Sequence, residues 1–258
     1  MDALETLFEH QSMRNYTSEE VDPVRIANIE KAVRQCSSTC FFQLVTTIRI
    51  TDRKLLAKIG LVSGGQMHIA KCPQLWMFCM DFTRLSRACD YKLPIPFDLF
   101  FAGVNDASIA CEAALVAAEA QGLSCVIIGG FKRGLREICK LLDLPKGVAP
   151  VVALCLGYGD DKYREQQKPR LPKHWTFMEN GYSDPYNEAE LESYNQQMAD
   201  YYQNRKYNTR TETWSEAASE QLKHQPRLSE ILAVFKEQGF AFDEAPLPES
   251  GKKTSAAS

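Results

Sequence analysis

The sequence predicts a mixed helix-and-strand fold around one core, and three observations carry that expectation. Four runs have the β-branched and aromatic composition of buried strands. The segments between them repeat apolar residues at helical spacing. One of these, Phe97 to Gln121, holds eight alanines and little charge, the pattern of a long helix packed on several sides, as at the core of a dimer. At 258 residues and 45% hydrophobic content, the chain can bury a substantial core in one large domain, with room for a small second lobe.

Taken in order, Leu4, Leu7 and Phe8 share a face of a first short helix, which ends before the polar loop His10 to Tyr16. Asp22 and Pro23 supply a cap and a first-position proline for a second helix, whose face continues through Ile26, Ile29 and Val33 to about Cys36. Strand-like runs follow at Phe42 to Thr51 and Leu75 to Phe82, separated by a helix over Arg53 to Leu61 that ends near Ser63-Gly64-Gly65. After the alanine-rich helix, Ser124 to Ile128 reads as a strand stopping at Gly129-Gly130. Leu135, Ile138, Leu141 and Leu142 then mark another helix, and Val148 to Gly157 is a covered strand. From Tyr158 the cysteines vanish. An amphipathic helix over Glu188 to Arg205 uses Leu191, Tyr194, Met198 and Tyr202, and a further helix spans Leu228 to Gln238. The expected organisation is one domain over 1–243, with a core at about 1–157, a helical excursion at about 185–240, and a disordered tail at 244–258.

A net charge of −3 gives no nucleic-acid or anionic-membrane surface, so no such partner is expected. The nine cysteines contain no C-x-x-C pair and point to free thiols in a reducing cytoplasm. The N-terminus has no apolar signal core. Four scattered histidines give no metal-ligand spacing, and the glycine fingerprints of Rossmann and P-loop proteins are absent, as are zincin and hydrolase motifs.

What remains is a set of short segments able to contact phosphate or a flat polar ring. His10 to Arg14 and Lys168-Pro169-Arg170-Leu171-Pro172 are basic within an acidic protein, so Arg14, Lys168 and Arg170 could hold a dianionic phosphate that Ser12 also bonds. On spacing alone, solvated loop charge is the simpler account.

Five motifs in order decide between these readings: His10-x-Ser12-x-Arg14, Ser37-Ser38 before Phe41 and Gln43, Gly64-Gly65-Gln66, Ile128-Gly129-Gly130, and Lys168 to Pro172. Together they resemble the oxygen-insensitive NADPH nitroreductase and NADPH-flavin oxidoreductase branch of the nitroreductase family. The likeness continues into Tyr201-Tyr202, Arg205, Arg210 and Thr213-Trp214-Ser215 and covers about residues 1–240. The resemblance implies an α+β sandwich with a mixed, mostly antiparallel sheet flanked by helices, in an entwined homodimer with FMN at the interface. It implies a two-electron, ping-pong reaction in which NADPH reduces the flavin and nitroaromatics, quinones or related flat acceptors reoxidise it. Two alternatives stay open: a flavin reductase releasing reduced FMN, and a flavin carrier with little turnover.

By position, His10, Gln11, Ser12, Met13, Arg14, Lys168, Pro169 and Arg170 would surround the ribityl phosphate, and Ser38, Gln66, Ile128, Gly129 and Gly130 would line the ribityl chain and ring. The glycines would let backbone N–H groups approach the flavin, although a plain strand-to-helix turn accounts for them as well. Gln11 stands where the family usually has Arg, removing one cation. Arg205 and Arg210 would meet the NADPH 2′-phosphate, since flavin chemistry needs only the nicotinamide above the ring and no Rossmann domain. Cys40, Phe41 and Arg227 are candidates for the acceptor side. Burial statistics alone would instead place Phe41 in the core and make Cys40 a small buried hydrophobe.

Overall fold

In a computed structural model of the chain, described for residues 2–224 and 228–242, the elements are α1 (Ala3–Glu9), α2 (Pro23–Gln35), β1 (Val45–Ile50), α3 (Arg53–Val62), α4 (Met67–Lys71), β2 (Gln74–Asp81), α5 (Thr83–Cys89) and α6 (Phe97–Ala120). They continue with β3 (Ser124–Ile128), α7 (Leu135–Leu141), β4 (Val148–Gly157), α8 (Lys173–Thr176), α9 (Glu188–Gln203), α10 (Trp214–Lys223) and α11 (Leu228–Glu237). The caps foreseen for α2 are formed: the Asp22 side chain accepts from the Val24 N–H, and Pro23 opens the helix. The expected tail at 244–258 lies outside the described residues.

The strands form one sheet in the order β1-β2-β4-β3, antiparallel throughout. A single parallel bridge, Ile95 to Phe240, lies outside the four strands. Every residue of β2 is buried, because both sheet faces are covered. Strand alternation divides the core: Leu75, Met77, Ala153 and Cys155 pack with residues of α3, α7 and α11, whereas Trp76, Phe78, Leu154 and Leu156 pack with α2 and α6. The result is the expected α+β sandwich.

Helix α6 is long and apolar enough to cross a membrane by length and composition, yet here it lies against α2 and the sheet, with Ala107, Ala110, Ala114 and Ala118 fully buried. It also buries two carboxylates, Asp106 (1% exposed) and Glu119 (7%). A buried charge needs partners, and those of Asp106 and Glu119 lead to two separate loops. Helices α4, α5, α8 and α10 are additional to those the sequence predicts.

Candidate functional site

The first loop docks on the free edge of β3. Met13 N–H donates to the Cys125 carbonyl at 2.8 Å, and Tyr16 Oη donates to the Met13 carbonyl at 2.8 Å. This pairing turns the Met13 side chain into the core and leaves Ser12 and Arg14 exposed. Any role for Met13 toward a ligand therefore falls to its backbone. Ile128, buried in the main cluster, is limited in the same way.

At the start of the loop, His10 Nδ1 lies 2.9 Å from the Glu119 carboxylate, in the last turn of α6. That hydrogen bond raises the pKa of His10 above its ordinary value, against the opposing effect of burial. A carboxylate here interacts unfavourably with the helix C-terminus, which gives a protonated His10 a second stabilising partner.

A cleft of about 410 Å³ opens beside this loop. Its lining brings together His10, Gln11, Ser12, Met13, Arg14, Lys168, Arg170, Arg205 and Arg210, segments far apart in sequence. Five Lys and Arg side chains thus face one lining carboxylate, Glu165. Glu165 accepts from the Lys206 and Tyr207 N–H groups at 3.2 and 3.0 Å and lies 3.7 Å from Arg205, fixing the turn that carries Arg205. Arg205 Nε is buried without a hydrogen-bond partner, a donor left for an incoming anion. Arg210 sits 4.1 Å from the centre of the Tyr202 ring and pairs with Glu212, and Lys168 lies 5.2 Å from the same ring. The donor set suits a phosphate-bearing group.

Several residues at this site are not candidates from the sequence, among them Glu119, which pairs with His10, Glu165, which holds the turn carrying Arg205, and Tyr201, whose ring lies 5.7 Å from the Arg205 guanidinium. The available signal for Glu119 was an acid inside an alanine-rich helix.

Gln66 and Gly130 form a second contact past the end of β3. A Cβ on Gly130 would collide with the Gln66 amide, so the close approach there is made by Gln66, while the corresponding direction at Gly129 is open. Pro169 borders a different depression, with Phe177 and Trp214, and its carbonyl accepts from Tyr194 Oη at 3.1 Å.

Ser38, Cys40 and Phe41 are not in the cleft. Ser38 lines a depression with Val45 and Thr47 of β1, at the opposite edge of the sheet. Three strand spacings separate the two edges, about 14 Å. The Ser38 hydroxyl donates to Asp106 at 2.6 Å and accepts from the Gln43 N–H at 2.7 Å, which leaves it one lone pair for a ligand. The core placement that burial statistics favour for Phe41 and Cys40 is overturned: Phe41 is 80% exposed and Cys40 is exposed, both lifted out by a short 3-10 turn over Thr39–Phe41. Arg227 lies outside the described residues.

The chain is thus an α+β sandwich with a cationic cleft beside one sheet edge, suited to a phosphate-bearing ligand. The chain matches the nitroreductase family model over residues 7–158 and the family's C-terminal domain model over 168–243, and it belongs to that family. It is 39% identical to the oxygen-insensitive NADPH nitroreductase of Salmonella typhimurium, covering 92% of this chain and 98% of the relative. It is 30% identical to the NADPH-flavin oxidoreductase of Vibrio harveyi, with the same coverage of both chains, 92% and 98%. Among solved structures, NfrA2 of B. megaterium superposes with a TM-score of 0.87 at 32% identity, covering 95% of this chain and all (100%) of that one. The NADPH:FMN oxidoreductase of Vibrio harveyi complexed with NAD+ superposes at 0.84 and 29% identity, covering 93% and 99%.

Proposed function

We propose that the chain is an FMN-dependent oxidoreductase that takes hydride from NADPH and reduces nitroaromatics, quinones or related flat acceptors. The observation that carries this reading is the cleft that Arg14, Lys168, Arg170, Arg205 and Arg210 line together, where the buried Arg205 Nε makes no hydrogen bond. The names of the relatives, an NADPH nitroreductase and an NADPH-flavin oxidoreductase, support it.

Ser12, Arg14, Lys168 and Arg170 hold the FMN phosphate, His10 adds a proton-dependent charge, and Gln11 contributes a neutral hydrogen bond. Gln66, the backbone at Ile128 and Gly129-Gly130, and Ser38 bound the ribityl chain and ring. FMN supplies the hydride chemistry, so the protein acts by position and electrostatics without an obligatory acid or base. Arg205 and Arg210 select NADPH through its 2′-phosphate. Donor and acceptor occupy one space in turn, Phe41 and Arg227 meeting the acceptor.

The placement of Ser38 and the phosphate cleft on opposite sheet edges supports a shared site in a homodimer, where one protomer's 38–44 loop completes its partner's cleft. Nine free cysteines support a reducing cytoplasm.

The test is anaerobic mixing with NADPH: purified protein should carry yellow, oxidised flavin that NADPH bleaches rapidly and NADH more slowly. Protein that cannot be loaded with FMN refutes the reading, and slow bleaching by both nucleotides indicates a carrier. Gln11 favours keeping a second reading, a flavin reductase that releases reduced FMN. Turnover with free FMN exceeding that with a nitroaromatic or a quinone would select it.

A further inference from the structure

The 38–44 loop has an unusual backbone. Cys40, Phe41 and Gln43 have φ of 49°, 57° and 54°, so three non-glycine residues within four positions occupy the left-handed region. L-residues avoid this region, and a cluster of them persists only when its surroundings over-determine it. Apolar packing anchors only the end of the loop, where Leu44 is fully buried, and not the left-handed residues themselves, since Cys40, Phe41 and Gln43 are exposed, Phe41 at 80%.

The determination comes from below. Asp106, one of the two buried acids of α6 and 1% exposed, aims its carboxylate at the base of the loop. Oδ2 accepts from Ser38 Oγ at 2.6 Å and, more weakly, from the Leu44 N–H at 3.4 Å. Oδ1 accepts from the Thr39 N–H and Thr39 Oγ1, both at 2.8 Å. Through Ser38 Oγ the network reaches the Gln43 N–H. Both ends of the turn are therefore tied to one carboxylate, with Arg84 adding a bond to the Gln43 carbonyl at 3.1 Å, and the residues between the ends, Cys40 to Gln43, are exposed. No cation pairs with Asp106 among the described residues; four donors from one loop satisfy it instead.

We infer that Asp106 is a positioning residue for the acceptor side of the site: it holds the 38–44 loop in its left-handed form so that Phe41 stands preorganised for a flat oxidant. This rests on the oxidoreductase reading above. NADPH has its 2′-phosphate to anchor it on Arg205 and Arg210, whereas a small acceptor without a phosphate depends on the surface the loop presents. Asp106 should therefore govern acceptor affinity more than donor affinity.

The test compares wild type with Asp106→Asn and Thr39→Val. Asn keeps the shape of the side chain but replaces one acceptor oxygen with a donor, and Val removes one hydroxyl bond. With the FMN-loaded enzyme, Asp106→Asn should raise KM for a nitroaromatic about tenfold while KM for NADPH changes less than about threefold. Thr39→Val should act in the same direction and more weakly. Hydrogen exchange, read by mass spectrometry, should accelerate in the 38–44 peptide and stay unchanged in β2 and β4. Faster exchange with an unaltered acceptor KM overturns the proposal, as does an equal rise in both KM values. If Asp106→Asn does not fold, an unchanged acceptor KM in Thr39→Val despite faster loop exchange overturns it. Wild-type protein that NADPH fails to bleach refutes the oxidoreductase reading itself, separately from these outcomes.

Discussion

His10 shows how one residue couples protonation to the cleft. Its pKa is raised by Glu119, so folding favours the imidazolium. A raised histidine pKa contributes stability that is fully present below the unfolded value of 6.5 and is lost as pH rises through the higher folded value. Its pull on a phosphate is lost in the same window. FMN should accordingly bind about tenfold more weakly once the pH has passed the raised value. Glu119→Gln should move that loss down toward pH 6.5. Flavin fluorescence titrated across pH reads both, and a flat profile in wild type would remove His10 from the phosphate site. Arg205 and Arg210 invite a second measurement. Replacing both with Ala should raise KM for NADPH by about tenfold or more, through loss of charge-assisted bonds, and leave KM for NADH nearly unchanged. Full retention of NADPH preference would sink the assignment. These cations were legible in the sequence because they form basic clusters in an acidic chain. Their carboxylate partners were not, since Glu165 and Glu119 become neighbours of Arg205 and His10 only after folding.

At the level of elements, two glycines near Gln66 separate site from scaffold. A Cβ on Gly134 would meet the Val62 carbonyl at the end of α3, which is backbone and cannot swing aside. Gly134→Ala should cost about 2 kcal/mol, seen as a lower midpoint in denaturant. A Cβ on Gly130 meets only the flexible end of Gln66. Gly130→Ala should change stability by less than about 1 kcal/mol yet weaken FMN binding, because Gln66 must leave its place. If Gly130→Ala keeps full flavin affinity, Gln66 does not line the site. The same contrast explains which elements the sequence disclosed. Strands β3 and β4 begin and end where their apolar runs do, because the sheet is covered along most of both strands, the exposed Ile127 of the edge strand excepted. Helix α4 spans five residues, too short for a 3.6-residue period to show, and α5 has no fully buried residue to mark an inner face. Helix α10 buries no residue, so no apolar stripe betrays it, and its cap at Thr213 with Glu216 was the one local signal. The 38–44 loop was hidden for a different reason: Asp106, the carboxylate bonded to both of its ends, lies more than sixty positions away.

For the whole molecule, the proposed flavin site requires that two sheet edges be brought together. In a single chain the phosphate cleft borders β3 while the Phe41 loop borders β1. The surface of α6 offers a means of joining two copies. Phe101 is 56% exposed and Ile109, two turns on, is 43% exposed, although the helix otherwise reads as core. These two residues make this face of α6 the candidate for the interface that the proposed shared site requires. The sequence conveyed the helix's all-round apolar character and hence the dimer expectation, but it could not show which face remained uncovered by α2 and the sheet. A two-fold interface across this face would present the same patch from both subunits. The double substitution Phe101→Glu and Ile109→Glu places two charges per subunit there and should give monomers by light scattering, with little loss of secondary structure by circular dichroism. Because each cleft would then lack its partner's Ser38 and Phe41, FMN affinity should fall by at least about tenfold even though every cation of the cleft remains. Monomers that bind FMN as tightly as wild type would show that one chain builds the complete site. A variant that stays dimeric would move the interface away from α6.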